Sequence, residues 1–193
     1  MHISPLNFVH KTGKFGDYSG KNDKDLLKVS EVNKLLIFQI AKFKNSNFDI
    51  SNIHVDELNL PSSLKSSSNS NTRILWLGPN NWLVFSSNLN LIEKEKKKFN
   101  ELDFAITDIS HSRTIIELEG NLVNEILKKG CPLDISSFKS GDCANSVYNG
   151  INITIDFISD NPKKARISGL RSFGESLYHS ITDSCLEFGY KAI

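Results

Sequence analysis

The chain has 193 residues, of which 39% are hydrophobic and 23% charged, and its formal net charge is +1. That length buries a real core, in one domain of fair size or two small ones packed together, and the near-neutral charge excludes a bulk electrostatic pull toward nucleic acid or an anionic membrane. Cys131, Cys143 and Cys185 are odd in number, widely spaced and free of any CxxC pair, which argues against a disulfide framework or zinc knuckle and for a reducing compartment.

Residues 1–30 are polar, rich in Lys, Asn and Ser and weakly periodic, and read as an irregular N-terminal arm. Their start lacks the apolar stretch of a signal peptide, and the longest apolar run, LLIF at 35–38, is far too short to span a membrane, so the protein is expected in the cytoplasm. Residues 31–193 are expected to form one α+β domain, with 31–103 and 104–193 as two intimately packed halves. KLLIFQIAKF (34–43) alternates like a strand, whereas PSSLKSSSNSN (61–71) has no apolar pattern and reads as a flexible loop. RILWL (73–77) and WLVFS (82–86) flank Gly78-Pro79-Asn80-Asn81, which is strong β-hairpin chemistry. Asn90 and Glu93 suit the start of a helix over 91–100, whose lysines, interleaved with Glu93 and Glu95, read as a solvated face.

AITDIS and RTIIELE (113–119) then precede a helix from about 121 to 129, with Leu122, Val123, Ile126 and Leu127 on one face and Gly130 at its end. CANSVY (143–148), INITIDFI (151–158) and ARISG (165–169) are further strands, the first two joined by a tight turn at Asn149-Gly150. Ser172 and Glu175 form a capping box for a last helix carrying Phe173, Leu177, Ile181, Cys185 and Phe188. Strand pairs each followed by a helix, with mainly antiparallel sheets, make an α+β fold.

ITDISHSR (106–113) sets an acid, a nucleophile and a base side by side. A triad needs the serine hydroxyl on one imidazole nitrogen and the carboxylate on the other, but an extended backbone sends Ser110 and His111 to opposite faces. Asp108 and Ser110 share a face one repeat of ~6.6 Å apart, where they suit hydrogen bonds to backbone. No G-x-S-x-G elbow, G-x-G-x-x-G or P-loop spacing occurs, KTGKFGDYSGKND (11–23) included. Cys131 follows a helix C-terminus, where the dipole opposes a thiolate. His2, His10 and His54 offer no ligand spacing. The residues therefore nominate no catalytic, cofactor-binding or metal-binding site. Trp76 and Trp82 bracket the hairpin turn as a stacking platform, a subunit anchor or core caps.

SPL (4–6), RILWLGPNNWLVF (73–85), ITDISHSRTIIELEG (106–120), ILKKGCPLDI (126–135) and RSFGESLYH (171–179) occur in that order. Together they resemble the gamma subunit of bacterial heterotetrameric sarcosine oxidase. Thr107 through Asp134 also looks like the D-x-S-H region of the folate-binding aminomethyltransferase of the glycine cleavage system, which implies an aminomethyltransferase folate-binding-domain-like fold. The resemblance implies a cytoplasmic alpha-beta-gamma-delta complex. It oxidatively demethylates sarcosine to glycine, forms hydrogen peroxide, and passes the one-carbon unit to tetrahydrofolate or releases formaldehyde. FAD, FMN, NAD and zinc are then expected in the partner subunits and none in this chain, which would support assembly, packed chiefly on alpha. A folate-dependent one-carbon protein or folate-binding module is the alternative. The transferases carry adjacent aspartates after a Gly-Gly turn, whereas YNGINITIDF (148–157) has Asp156 alone. Trp76, Trp82, His111 and Arg113 are the expected subunit-interface residues, with Arg113 paired either to Asp108 or to a partner carboxylate.

Overall fold

Period-two alternation dominates the chain, and the computed structural model, which describes residues 4–193, builds most of it into strands. In chain order these are Gly13–Phe15 (β1), Leu27–Glu31 (β2), Leu36–Lys42 (β3), His54–Val55 (β4), Leu58–Asn59 (β5), Ser66–Ser68 (β6) and Thr72–Gly78 (β7). Then come Asn81–Ser86 (β8), Phe104–Asp108 (β9), Arg113–Glu119 (β10), Cys143–Tyr148 (β11), Ile151–Asp160 (β12), Lys163–Leu170 (β13) and Tyr190–Ala192 (β14). The helices are Leu91–Lys96 (α1), Val123–Gly130 (α2) and Gly174–Cys185 (α3). They follow β8, β10 and β13, as the strand-pair-then-helix pattern predicts.

The chain divides into two compact units. One takes the N-terminal residues through Asn33 together with Ser112–Ser140 and Asn145–Ile193, and the other takes Lys34–His111 with Gly141–Ala144.

The first unit is built on a seven-stranded sheet of order β1-β14-β2-β10-β13-β12-β11. β10 and β13 run antiparallel, with Ile116 opposite Ile167 and Leu118 opposite Ala165. β12 continues the same face with Ile155 and Phe157. That face meets Val123, Ile126 and Leu127 of α2 and Leu177, Tyr178, Ile181 and Cys185 of α3 in one buried cluster. The alternate residues carry charge on the other face. Arg166 Nε donates to Glu117 Oε2 (2.8 Å), and Lys164 and Lys28 both reach Glu119, at 2.7 and 2.6 Å.

The N-terminal segment corrects the expected irregular arm. Leu27 and Val29 of β2 are buried in the middle of the sheet, and β2 lies between parallel β14 and antiparallel β10. Leu6 is fully buried; its N–H donates to Ser4 Oγ (3.0 Å), and Ser4 in turn donates to the Glu31 carboxylate. Gly16, at φ +72°, lets the chain turn against Leu186, whose carbonyl oxygen would lie 2.2 Å from any Cβ added there. The physical reason is non-local: the segment gains its ladder from the C-terminal strand, far away in sequence. His2 lies outside the described residues.

The second unit holds a five-stranded antiparallel sheet of order β6-β7-β8-β3-β9 and the two-stranded pair β4-β5. Phe38, Ile40, Ile74, Val84, Trp82, Leu91, Phe99 and Phe104 belong to its core. The 73–86 hairpin forms as expected, with Asn80 taking φ 58° in the turn. The expected loop at 61–71 is corrected, because Ser66–Ser68 pair with β7 as an edge strand. Hydroxyls supply what apolar contacts do not, since Arg73 donates to Ser66 Oγ (2.9 Å) and Ser68 Oγ (3.2 Å). α1 stops after six residues, with no side-chain cap from Asn90, and Glu95 is fully buried against Lys98 (2.7 Å) instead of lying on a solvated face. α3 begins after a 3-10 turn at Arg171–Phe173, without the side-chain cap expected from Ser172.

Tyr148 shows how tightly the first unit is packed. Its hydroxyl donates to the Ile126 carbonyl (2.9 Å) and lies 2.8 Å from Ser184 Oγ, tying β11 to α2 and α3, and burial pushes its pKa up to about 12. Gly130 ends α2 against that ring, and a Cβ there would sit 2.7 Å from it. Because the ring is held at its far end, it cannot yield, so Gly130→Ala is expected to destabilise the protein by about 1–3 kcal/mol. Urea unfolding checks this; an unchanged midpoint would mean that the ring is free to shift.

Candidate functional site

The D-x-S-H-x-R segment carries the side chains on which any chemistry would depend, and it runs out of β9. Ile109 N–H donates to the Ile37 carbonyl (2.8 Å), so the β3–β9 ladder continues past the strand end. Asp108 Oδ1 accepts from the backbone N–H of Ser110 (2.9 Å) and from its hydroxyl (2.7 Å). The Ser110 Oγ in turn accepts from Ile37 N–H (2.9 Å). These bonds make a clasp that closes the end of β9 onto β3. The Ser110 hydroxyl, followed by its amide, holds the Asp108 carboxyl below the usual carboxylate range. The serine proton is thus directed at a carboxylate and its lone pair at a backbone amide, which is an anchoring geometry and not that of a nucleophile.

His111 is exposed, and the boundary between the two units falls directly after it. Arg113 opens β10 opposite Leu170. Its guanidinium is about half buried, burial alone pushes its pKa down, and Nε is sealed from solvent without a hydrogen-bond partner among the described residues. Trp76 is partly buried and pairs across the hairpin with Trp82. Trp82 corrects the expectation of an interface residue: it is 2% exposed, sits in the core, and donates its indole N–H to the Pro61 carbonyl (3.0 Å). A subunit surface cannot use a side chain that its own unit has enclosed.

The remaining candidates are structural. Cys131 is buried, with Sγ 3.3 Å from Ser146 Oγ, and burial pushes the Cys185 thiol up to about 12. His10 bridges the Tyr178 hydroxyl (2.9 Å) and the Ile193 carbonyl (3.0 Å). Asp156 is 3% exposed and lies within β12 opposite Arg166, not at the Asn149-Gly150 turn. Among the described residues no cluster of three or more His, Cys, Asp or Glu side chains could hold a metal ion, and no helix is long and apolar enough to cross a membrane. A depression of about 250 Å³ is lined by Lys24, Lys28, Glu119 and Asn121, with Lys28 and Glu119 already paired. Leu170, 43% exposed beside Arg113, carries no signal in the sequence, because its role depends on which strand β13 pairs with.

The fold defines the class first. It is shared with the glycine cleavage system aminomethyltransferase T from Bartonella henselae, at a TM-score of 0.69 and 12% identity over 100% of this chain and 60% of that one. The likeness is greater to a chain of the heterotetrameric sarcosine oxidase from Corynebacterium sp. U-96 in complex with pyrrole 2-carboxylate, with a TM-score of 0.81 and 20% identity over 96% of this chain and 95% of that one. In sequence, the chain is 28% identical over 120 residues to the sarcosine oxidase subunit gamma of Corynebacterium sp. (strain U-96), covering 62% of this chain. It is 24% identical over 123 residues, 63% of this chain, to that of strain P-1. These alignments span 58% and 61% of the relatives' own lengths. The profile of the sarcosine oxidase, gamma subunit family matches residues 43–187, and the chain belongs to that family.

The clasp yields a prediction with a pH arm. Ser110→Ala removes the acceptor for Ile37 N–H and both side-chain partners from one another, and should destabilise the protein by about 1–2 kcal/mol. Asp108 has its pKa depressed on folding, so its share is complete above the unfolded value of about 4 and is lost as pH falls through the lower folded value. The gap between parent and variant should therefore narrow as pH falls below about 4, leaving the pH-independent share of the Ile37 N–H bond. A pH-independent gap would show that the carboxylate takes no part.

Proposed function

We propose that this chain is the gamma subunit of a heterotetrameric sarcosine oxidase and serves it as a non-catalytic assembly subunit. Family membership across residues 43–187 supports the subunit reading. The observation that carries its non-catalytic character is the clasp: Asp108 and Ser110, the acid and nucleophile of the suggestive run, are spent on each other and on the Ile37 backbone. The complex oxidatively demethylates sarcosine to glycine in the cytoplasm, forming hydrogen peroxide and handing the one-carbon unit to tetrahydrofolate or releasing it as formaldehyde. FAD, FMN, NAD and zinc are held by the alpha, beta and delta subunits, and gamma packs chiefly on alpha. Asp156 is single and buried in the stretch where a folate transferase carries adjacent aspartates.

Co-expression of this chain with the other three subunits tests the reading. The expected result is equimolar co-purification in an active complex, with loss of intact complex, and of activity with it, when this chain is omitted. A chain that stays outside the complex overturns the proposal. So does an isolated chain that binds tetrahydrofolate tightly and saturably while transferring its one-carbon unit.

A further inference from the structure

Two arginines on the charged face of the seven-stranded sheet stand in contrast. Arg166 is neutralised by Glu117 at 2.8 Å. Arg113 lies four register pairs away from that bridge on the same strand face, as Arg113–Leu170 and Glu117–Arg166 have the same parity in the β10–β13 ladder. No hydrogen bond or ion pair from any described residue reaches the Arg113 guanidinium, although its Nε is sealed from water. Its Nη atoms are not sealed, and they carry what remains of its hydration. A half-buried guanidinium without a carboxylate is a destabilising element in the isolated chain, since the lost hydration is not repaid by an acceptor. The residue directly across from it, Leu170, is an exposed apolar side chain, and Phe173, three residues on, is half exposed. Arginine and an aromatic are residue types enriched at interface centres, and an exposed leucine beside them adds apolar area to cover.

Resting on the subunit reading above, we infer that the Nη edge of Arg113, rimmed by Leu170, receives a carboxylate side chain of a partner subunit when the complex assembles. The unmet charge selects the occupant. Guanidinium is a planar fork of donors with no acceptor, matched by an Asp or Glu delivered on a segment whose flanking apolar residues cover Leu170. The partner supplies the acceptor that the isolated chain lacks. Charge complementarity at a site closed to water makes the contact specific for an acid.

Two variants of the full chain test this in competition, co-expressed with differently tagged wild-type chain and limiting amounts of the other three subunits. Arg113→Met keeps the stem and removes the charge. It is expected at tenfold or lower abundance than wild type in the purified complex, while its own thermal unfolding temperature is unchanged or raised. Leu170→Glu places a carboxylate of the same chain within reach of Arg113, because directly paired Cβ atoms lie about 4.5–5.5 Å apart. It should be depleted at least as strongly with its fold intact. Either variant assembling as well as wild type overturns the inference and leaves the subunit reading standing. A fall in the unfolding temperature of Arg113→Met also overturns it, by showing that the guanidinium serves the fold. If the wild-type chain itself never joins the complex, both readings fall together.

Discussion

The register of β10 against β13 is the constraint on which most of this protein rests. Pairing Ile116 with Ile167 sends Leu118, Ala165, Ile155 and Phe157 to the face covered by α2 and α3, and sends Glu117, Glu119, Lys164 and Arg166 to the other. A slip of one residue would exchange the two sets, burying four charges in the apolar cluster and exposing its aliphatic centre. The bridges on the polar face act as a check on that register. Arg166 meets its directly paired Glu117, and Lys164 spans Glu117 and Glu119 at 3.3 and 2.7 Å. Individually such exposed pairs contribute little, but as a network they disfavour the alternative pairings.

Polar side chains in this chain follow two different logics. Most satisfy groups within their own unit: Ser110 accepts from the Ile37 backbone, Ser66 accepts from the Arg73 guanidinium, and Trp82 donates to the Pro61 carbonyl. Each replaces water for a donor or acceptor that folding removes from solvent, and that is sufficient reason for its chemistry. Arg113 does not fit this logic. It is placed at the start of the central strand, stripped of part of its hydration, and given no acid. On the adjacent strand β13, Arg166 is neutralised by Glu117 of β10, so composition does not account for the difference.

Local features of the fold were legible in the sequence, and non-local ones were not. The 73–86 hairpin was readable because Gly78-Pro79-Asn80-Asn81 specifies its own turn, and α2 because Gly130 and the lysines before it mark its end. Both signals act over a few residues. β2 was missed although Leu27 and Val29 alternate with Lys28 and Ser30, because a five-residue strand is convincing only once its neighbours are known. Those neighbours are β10, about 90 residues downstream, and β14 at the other end of the chain. β6 carried no apolar pattern at all and is held by hydroxyl-to-guanidinium contacts. Within the candidate site, the roles of Asp108 and Ser110 followed from strand alternation alone. The burial of Trp82 and Glu95 and the exposure of Leu170 depend on what packs over them.

The fold shared with an aminomethyltransferase does not by itself carry a chemistry. A fold constrains the backbone and the pattern of burial, and function resides in the few side chains presented at its openings. Here the two polar side chains of the D-x-S run close the end of a strand. Asp156, the one carboxylate of YNGINITIDF, is buried within β12 opposite Arg166. Structural demands alone therefore keep the most catalytic-looking residues of this sequence in place. The side chain that those demands leave unexplained is Arg113. A half-buried cation with no acid among the described residues, beside an exposed leucine, is a feature suited to recognising another protein.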